Sequence, residues 1–184
     1  MKLIQTELPG VIIIESKVFG DHRGYFLESF NKQKFEEHVQ KVDFVQDNES
    51  KSSRGVLRGL HFQKPPYAQA KLVRCTQGKV LDVALDLRKG SPTYANYVMV
   101  ELSEVNKRQL FVPRGFAHGY IVLSDKAIFS YKVDNWYAPE YEGGIIWNDE
   151  TLQIDWQIEE KEMKLSDKDN KLELLQNFES PFIY

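Results

Sequence analysis

The sequence predicts an all-β fold, an antiparallel sandwich or barrel, and two observations support this prediction. Most of the chain consists of short segments in which apolar and polar residues alternate, separated by turn residues, and helical periodicity is scarce. The segment Lys79–Leu87 shows the alternation best, because leucine and valine side chains occupy one face while Asp82 and Asp86 lie on the other. Two carboxylates on a strand face indicate either a solvated exterior or a polar interior, which in a barrel is a binding cavity.

The predicted strands follow one another along most of the chain. They are Val11–Ile14, Tyr25–Phe30, Phe44–Gln46, Val56–Phe62, Lys71–Cys75, Lys79–Leu87, Tyr97–Leu102, Gln109–Val112, Ala117–Leu123, Ala127–Val133 and Ile145–Trp147. Asn31 can cap a helix over Lys32–Val39, and Asp169 or Asn170 can cap a final helix that reaches Phe178. Because no linker, repeat or composition break interrupts residues 1–184, a single domain is expected.

Composition excludes several classes of protein. The net charge is −3 and no dense Lys/Arg cluster is present, so nucleic acid is not an expected partner. No apolar run approaches the roughly 18–20 residues that a membrane span requires, and Glu7 and Pro9 interrupt any signal peptide. The single cysteine, Cys75, fits a reducing compartment and a cytoplasmic location, and its apolar neighbours favour a packed residue over a nucleophile.

Two of the four histidines stand out as candidates for chemistry. His22 and His38 lie among charged residues and are expected at the surface, whereas His61 and His118 lie in apolar strand-like segments beside glycines. A strand histidine is often merely structural. No second histidine lies two positions after His61, so the usual metal-ligand pattern of small β-barrels is missing, and neither a metal nor a cofactor is expected.

The other candidates are cations and acid/base groups placed on predicted strands or turns, each of which taken alone also fits ordinary surface charge. They are Arg23, Arg58, Lys71, Arg74, Asp82 and Tyr131. No glycine-rich phosphate loop or serine nucleophile elbow accompanies them.

A series of ordered motifs makes the chain resemble the dTDP-4-dehydrorhamnose 3,5-epimerase family from the first strand to the C-terminal region. The matching segments are Asp21–Glu28, Gln46–Asn48 with Ser50 and Ser53, Gly55–Gln63, Gln69–Cys75, Gly78–Arg88, Gly90–Tyr94, Pro113–Gly119, Tyr131–Val133 and Ser166–Asp169. The resemblance implies a cupin-like jelly-roll β-barrel with a few short peripheral helices, in a homodimer. It also implies that early strands are exchanged, so that Arg23–Glu28 and Gln46–Asn48 serve the partner's site.

The resemblance further implies a reaction and the residues that perform it. The substrate would be dTDP-4-keto-6-deoxyglucose, inverted at C3 and C5 for L-rhamnose synthesis and cell-surface polysaccharide. His61 would be the base, Tyr131 the acid, Asp169 the group that orients His61, and Lys71 the cation facing the enolate. The residues implied to hold substrate are Arg23, Phe26, Glu28, Gln46, Asn48, Arg58, Asp82, His118, Tyr137, Glu142 and Lys168, with Asp82 and Tyr137 lining the sugar pocket.

One spacing conflicts with a regular strand. Arg58 and His61 are three positions apart, so a regular strand would place them on opposite faces. Both can serve one site only if Gly59 marks a β-bulge or the strand ends there, and we adopt the bulge as a hypothesis.

Three alternatives remain open from the sequence. The first is a 3- or 5-epimerase that acts on one carbon only, and the second is a keto-sugar isomerase of related fold. The third is a barrel that binds sugar nucleotides without catalysis, although the joint presence of His61, Lys71, Tyr131 and Asp169 argues against it.

Overall fold

The computed structural model describes residues 1–184 and is built mainly of antiparallel strands. The strands are β1 (Lys2–Gln5), β2 (Ile12–Glu15), β3 (Val18–Asp21), β4 (Gly24–Leu27), β5 (Gln46–Ser53), β6 (Leu57–Gln63), β7 (Lys71–Gln77), β8 (Lys79–Asp86), β9 (Tyr97–Ser103), β10 (Arg108–Val112), β11 (Phe116–Val122), β12 (Lys126–Val133) and β13 (Glu142–Gly144). One α-helix, α1 (Lys32–His38), and four short 3₁₀ helices complete the chain; the latter are Pro139–Tyr141, Glu160–Glu162, Asp169–Lys171 and Leu175–Asn177.

Two sheets form the jelly-roll barrel. The first has six strands in the order β1-β2-β10-β7-β12-β5, and the second has five in the order β13-β6-β11-β8-β9. A core that includes Val73, Val80, Leu110 and Phe129 fills the space between them. The fold confirms the predicted all-β class and its cupin-like architecture.

Both sheets are also covered on their outer faces. Phe35 of α1 packs with Leu72 and Phe111 on the outside of the first sheet. On the second sheet, the leucines of β8 pack against Trp147, Trp156 and other residues of the C-terminal region. The inward face of β8 therefore carries the carboxylates, which confirms the polar-interior alternative for Lys79–Leu87.

The two inward carboxylates of β8 have different surroundings. Asp86 is completely buried and accepts hydrogen bonds from Arg88 Nη2 (2.7 Å), Ser91 Oγ (2.6 Å) and Thr93 Oγ1 (2.7 Å). Burial raises the pKa of Asp86, but these hydrogen bonds outweigh burial and lower it overall. Asp86 is thus a structural residue, and only Asp82 lies near the candidate site.

The predicted first helix is confirmed and the predicted last helix is wrong. The Asn31 side chain accepts a hydrogen bond from the Lys34 N–H (3.1 Å) and caps α1 as expected. After residue 168 the chain forms only two 3₁₀ turns, because Leu172 and Leu174 are extended and Glu173 forms a parallel bridge with Ile145. The side chain of Asp169 also contacts His61 instead of capping a helix.

The strand predictions fail where hydrophobic alternation is absent. The strand β5 begins at Gln46 and continues to Ser53, well beyond the predicted Phe44–Gln46, and it contains no large apolar residue. Its register with β12 runs from Gln46↔Val133 to Ser53↔Lys126, so a continuous backbone ladder holds it, together with polar side-chain contacts such as that between Lys132 and Asp47. The strands β1 and β3 were not predicted, β4 ends at Leu27, and β13 precedes the predicted Ile145–Trp147.

Two further predictions can be compared with the structure. Cys75 is buried, its thiol donates to the Gln77 carbonyl (3.0 Å), and burial raises its pKa to about 11, which confirms a packed residue. No helix is long and apolar enough to cross a membrane.

Candidate active site

An open cavity of about 300 Å³ lies where the two sheets separate. Its walls are predominantly polar and include residues from β5, β6, β7, β12 and β13. The lining residues are Gln46, Asn48, His61, Phe62, Gln63, Gln69, Lys71, Tyr131, Tyr137 and Glu142. The cavity therefore brings together three of the four predicted catalytic residues and four of the predicted substrate-binding residues.

His61 is held from behind by a buried carboxylate. Its Nε2–H donates to Asp169 Oδ1 at 2.6 Å, so Nδ1 is the imidazole nitrogen left free to accept a proton. Asp169 is 4% exposed and also accepts hydrogen bonds from Ser166 Oγ (2.6 Å) and the Gly59 N–H (3.3 Å). Burial raises the pKa of Asp169, but the hydrogen bonds from His61, Ser166 and Gly59 outweigh burial and lower it to about 2. Asp169 is thus a stable anion that orients His61.

The bulge predicted at Gly59 is present. His61 pairs with His118 of β11 and Arg58 pairs with Tyr120, so the register of β6 against β11 shifts between them. Gly59 has φ +133°, and a Cβ there would lie 2.5 Å from the Gly119 Cα. Only glycine fits at this position, and the extra residue turns Arg58 and His61 toward the same side.

Arg58 points across the barrel toward the first sheet. Its Nη2 lies 3.4 Å from Ser52 Oγ on β5, and its positive charge acts on the phenol of Tyr131. These contacts place Arg58 beside the cavity rather than on the outer face.

Tyr131 and Lys71 face His61 from the opposite sheet. In the register of β12 against β7, Tyr131 lies opposite Val73 and Val133 lies opposite Lys71. Burial raises the pKa of Tyr131, so the phenol keeps its proton at neutral pH. Burial lowers the pKa of Lys71 to about 8, although the charges of Asp82 and Glu142 oppose this change. Lys71 has no ion-pair partner in the chain, so its ammonium is free to meet an anion in the cavity.

Asp82 and His118 form a buried pair behind this wall. The His118 Nε2–H lies 3.0 Å from both Asp82 carboxylate oxygens, and the side chains are 7% and 0% exposed. Burial lowers the pKa of His118, while Asp82 opposes the change. Asp82 is fully buried and is not part of the cavity surface. The expectation that it lines the sugar pocket stays a prediction.

Two groups stand at the rim of the cavity. Glu142 of β13 pairs with Lys168, which links the strand to the C-terminal region. Tyr137 is 58% exposed and presents its ring to the opening. Both predicted residues therefore lie at the opening of the cavity, and their contacts with a ligand stay predictions.

Gln46 and Asn48 line the cavity of their own chain. The Gln46 amide donates to Asn48 Oδ1 at 2.8 Å. Because β5 pairs with β12 of the same chain, alternation turns both side chains toward Tyr131. That this segment serves the partner's site stays a prediction.

Seven of the eleven predicted binding residues do not line this cavity, and three of the seven, Arg23, Phe26 and Glu28, lie in or next to the hairpin β3–β4. Arg23 pairs with Asp21 at 2.5 Å, Glu28 pairs with Lys34 at 2.7 Å, and Phe26 is 68% exposed. Arg23 and Phe26 belong to the hairpin β3–β4, which joins neither sheet of the barrel. Within one chain they contact no residue of the cavity wall.

Two residues that were not predicted as site residues, Ser166 and Gln63, also contribute to the site. Ser166 holds Asp169 and lies in the motif that contains it. Gln63 lines the cavity two positions after His61, and this spacing on a strand was the signal that could have identified it. No group of three or more His, Cys, Asp or Glu side chains is arranged to hold a metal ion.

Comparison with known proteins adds a second line of evidence. Residues 5–177 match the family model described as dTDP-4-dehydrorhamnose 3,5-epimerase. The chain is 58% identical over 170 residues to the dTDP-4-dehydrorhamnose 3,5-epimerase of Shigella flexneri, covering 92% of this chain and 93% of the relative.

Solved structures agree with this match. The crystal structure of dTDP-4-dehydrorhamnose 3,5-epimerase from Elizabethkingia anophelis has a TM-score of 0.92 at 54% identity, covering 96% of this chain and 97% of that one. The dTDP-6-deoxy-D-glucose-3,5-epimerase of Legionella pneumophila, solved in complex with dTDP-4-keto-L-rhamnose, has a TM-score of 0.95 at 46% identity, covering 100% and 98%.

Proposed function

This chain belongs to the dTDP-4-dehydrorhamnose 3,5-epimerase family, and from that premise we propose that His61 and Tyr131 invert C3 and C5 of dTDP-4-keto-6-deoxyglucose. The protein is an isomerase of nucleotide-linked keto sugars, and its product leads toward dTDP-L-rhamnose. The observation that carries the proposed roles is the placement of a base, an acid and a cation around one cavity, on two facing sheets.

The first step is removal of a proton from carbon next to the C4 ketone. His61 accepts it at Nδ1, and the Asp169 carboxylate stabilises the imidazolium that forms. The electron pair left on carbon moves into the enolate, whose oxygen becomes negative. The unpaired ammonium of Lys71 offsets that charge, and a preorganised group of this kind is commonly worth about 3–4 kcal/mol.

The second step returns a proton from the opposite face of the ring. Tyr131 projects from the sheet opposite His61, and its raised pKa keeps the phenol protonated until it donates to the ring carbon. The enolate returns to the ketone as the new C–H bond forms. The phenolate then regains a proton from solvent, and the imidazolium of His61 releases one to solvent. A single base would exchange protons on one face without efficient inversion. Two acid/base groups on facing sheets, His61 and Tyr131, therefore account for inversion, whereas a single base would account only for proton exchange on one face.

The substrate's polar groups have candidate partners around the cavity. We propose that Arg58 binds the diphosphate, whose oxygens suit the planar guanidinium. Gln46, Asn48, Glu142 and Lys168 are placed to contact the nucleotide or sugar. The buried pair of His118 and Asp82 supports the wall behind Lys71.

We also propose that Arg23, Phe26 and Glu28 complete the site of a second copy in a homodimer. The hairpin β3–β4 supports this, because Phe19 (53%), Tyr25 (58%) and Phe26 (68%) leave a large apolar surface exposed in one chain. A partner whose cavity lay against this hairpin would bury those rings and receive the guanidinium of Arg23.

Mixing two inactive variants tests the exchange. Chains carrying His61→Ala and chains carrying Arg23→Ala should each be inactive or strongly impaired. After refolding as a 1:1 mixture, about a quarter of the sites would combine intact residues from both chains if sites are shared in a symmetric dimer. Recovery of about that fraction supports the exchange, and no recovery from a dimeric mixture contradicts it.

The proposed reaction is tested by isotope exchange. The chelator-treated protein is incubated with dTDP-4-keto-6-deoxyglucose in deuterated water, and the product is analysed by NMR and mass spectrometry. Deuterium at both C3 and C5 with inverted product supports the double epimerase, whereas label at one carbon only favours a single-site epimerase. No label with substrate bound would favour the non-catalytic barrel.

A matched pair of variants locates the base. His61→Ala should abolish exchange at both carbons. His38→Ala removes an exposed histidine of α1, far from the cavity, and should leave exchange unchanged. Near-normal exchange in His61→Ala would show that the base is another group.

A further inference from the structure

The side chain of Gln63 ties the cavity wall to a neighbouring loop. Gln63 is 4% exposed and lies on β6 two residues after His61. Its Nε2 donates to the carbonyls of Tyr67 (2.7 Å) and Trp136 (3.0 Å), and its Oε1 accepts from the Ala138 N–H (2.8 Å). Both amide protons and the amide oxygen are thus used on backbone groups.

These hydrogen bonds enclose Tyr137. The Trp136 carbonyl precedes Tyr137 and the Ala138 N–H follows it, and the Gln63 side chain forms a hydrogen bond with each of these two groups. Tyr137 itself is 58% exposed and Trp136 is 61% exposed, so packing around their rings restrains them little. The position of the Tyr137 ring therefore depends mainly on its backbone.

We propose that Gln63 is a positioning residue, which holds Tyr137 at the rim of the cavity in the orientation that contacts bound substrate. This inference rests on the proposed function for the identity of the ligand. Because Gln63 and His61 share one short strand, the contact fixes the rim relative to the base. Gln63 itself takes no part in proton transfer.

The location of Tyr137 decides which kinetic constant should change. His61, Lys71 and Tyr131 lie on the walls where protons are exchanged, whereas Tyr137 stands at the exposed opening. Loss of its position should weaken binding of the ligand's outer part and leave the chemical step intact. Removing a few neutral hydrogen bonds of this kind is expected to weaken dTDP binding roughly 5- to 20-fold.

The test uses a neutral variant of similar length and a matched control. Gln63→Met removes all three hydrogen bonds, and Gln63→Glu keeps only the one from Ala138, in case the first variant folds poorly. Asn106→Leu is the control, because the Asn106 amide likewise binds three backbone groups, those of Glu101, Ser103 and Arg108, away from the cavity. Calorimetric titration with dTDP and steady-state kinetics are measured for each variant.

The expected result is a rise in KM and in the dTDP dissociation constant with kcat nearly unchanged for the Gln63 variants, and no change in either for Asn106→Leu. In a Tyr137→Ala background the Gln63 substitution should add little further loss, because it acts through that ring. A fall in kcat at constant KM, or an undiminished effect in the Tyr137→Ala background, would overturn the proposal.

Hydrogen exchange separates this proposal from the proposed function. Amides in residues 134–141 should exchange faster in Gln63→Met than in the wild type without any ligand. If the wild type inverts neither carbon, the proposed function fails, while unchanged exchange in this segment would refute the role of Gln63 by itself.

Discussion

Replacing Asp169 with asparagine tests the orientation of the base most directly. In the native protein the Asp169 carboxylate accepts the Nε2 proton of His61 at 2.6 Å and leaves Nδ1 as the acceptor. An asparagine of the same shape can donate its own N–H to Nε2 instead. His61 would then carry its proton on Nδ1, the nitrogen that faces the substrate, and could not act as a base.

The structure also sets the size of the effect. The fall in the pKa of Asp169 from 3.8 to about 2 corresponds to about 2.5 kcal/mol of preference for the charged form in the folded protein. Loss of a correctly oriented general base commonly costs about 10²- to 10⁴-fold in rate. We therefore expect Asp169→Asn to lower kcat by at least about 100-fold, with dTDP affinity nearly unchanged.

Deuterium incorporation at C3 and C5 is the assay, and calorimetric titration with dTDP reports binding. Asp149→Asn is the control, because Asp149 is also buried and bound by backbone N–H groups but lies outside the cavity, beneath the C-terminal region. The Asp149→Asn variant should be less stable than the wild type, with an unchanged kcat per folded molecule. If Asp169→Asn kept more than about a third of the native exchange rate, the orienting role would be refuted. A loss of less than about threefold is far smaller than that expected for a misplaced base.

Further predictions concern pH, the acid and the bulge. The charged form of Asp169 stabilises the fold above pH 4. The free energy of unfolding should therefore fall by about 2.5 kcal/mol as the pH falls through the folded pKa of Asp169, about 2. The stability of Asp169→Asn should lack this pH dependence. Because the pKa of Lys71 is about 8, activity should fall as pH rises through that value, and Lys71→Arg should lack this limb of the pH profile. Tyr131→Phe should retain deuterium exchange by His61 but yield little inverted product by NMR. Gly59→Ala should lower the free energy of unfolding by about 2–4 kcal/mol in urea titrations, because its Cβ would meet Gly119. A loss under 1 kcal/mol would show that the backbone at the bulge can move to accommodate a Cβ.

Local pattern predicts a large part of the molecule. The alternation of Lys79–Leu87 correctly placed two carboxylates on one face and the leucines on the other, because side-chain direction along a strand depends only on the backbone. That the carboxylate face is the inner one came from the packing of the two sheets. The N-cap of α1 at Asn31 is equally local. The spacing of Arg58 and His61, if both serve one site, indicated an irregularity at Gly59, and the register shift in β6 confirms the bulge.

Other features depend on contacts between distant parts of the chain. The strand β5 has no hydrophobic signal and exists because β12 offers it a full ladder of backbone partners. The predicted helix after Asp169 does not form, because that side chain and the backbone of Glu173 bind distant strands instead.

For the site, sequence alone determined the residue types, and the tertiary structure decided which of them meet. His61 and Asp169 are 108 positions apart, and only the packing of the C-terminal region against β6 brings them to 2.6 Å. Likewise, the position of Asp82 on β8 does not reveal that its side chain is buried. That burial depends on the pairing of Asp82 with His118 of the neighbouring strand. The role of Gln63 emerges for the same reason, because two of its hydrogen-bond partners, Trp136 and Ala138, lie 73 and 75 residues away in a loop whose path only the folded chain defines.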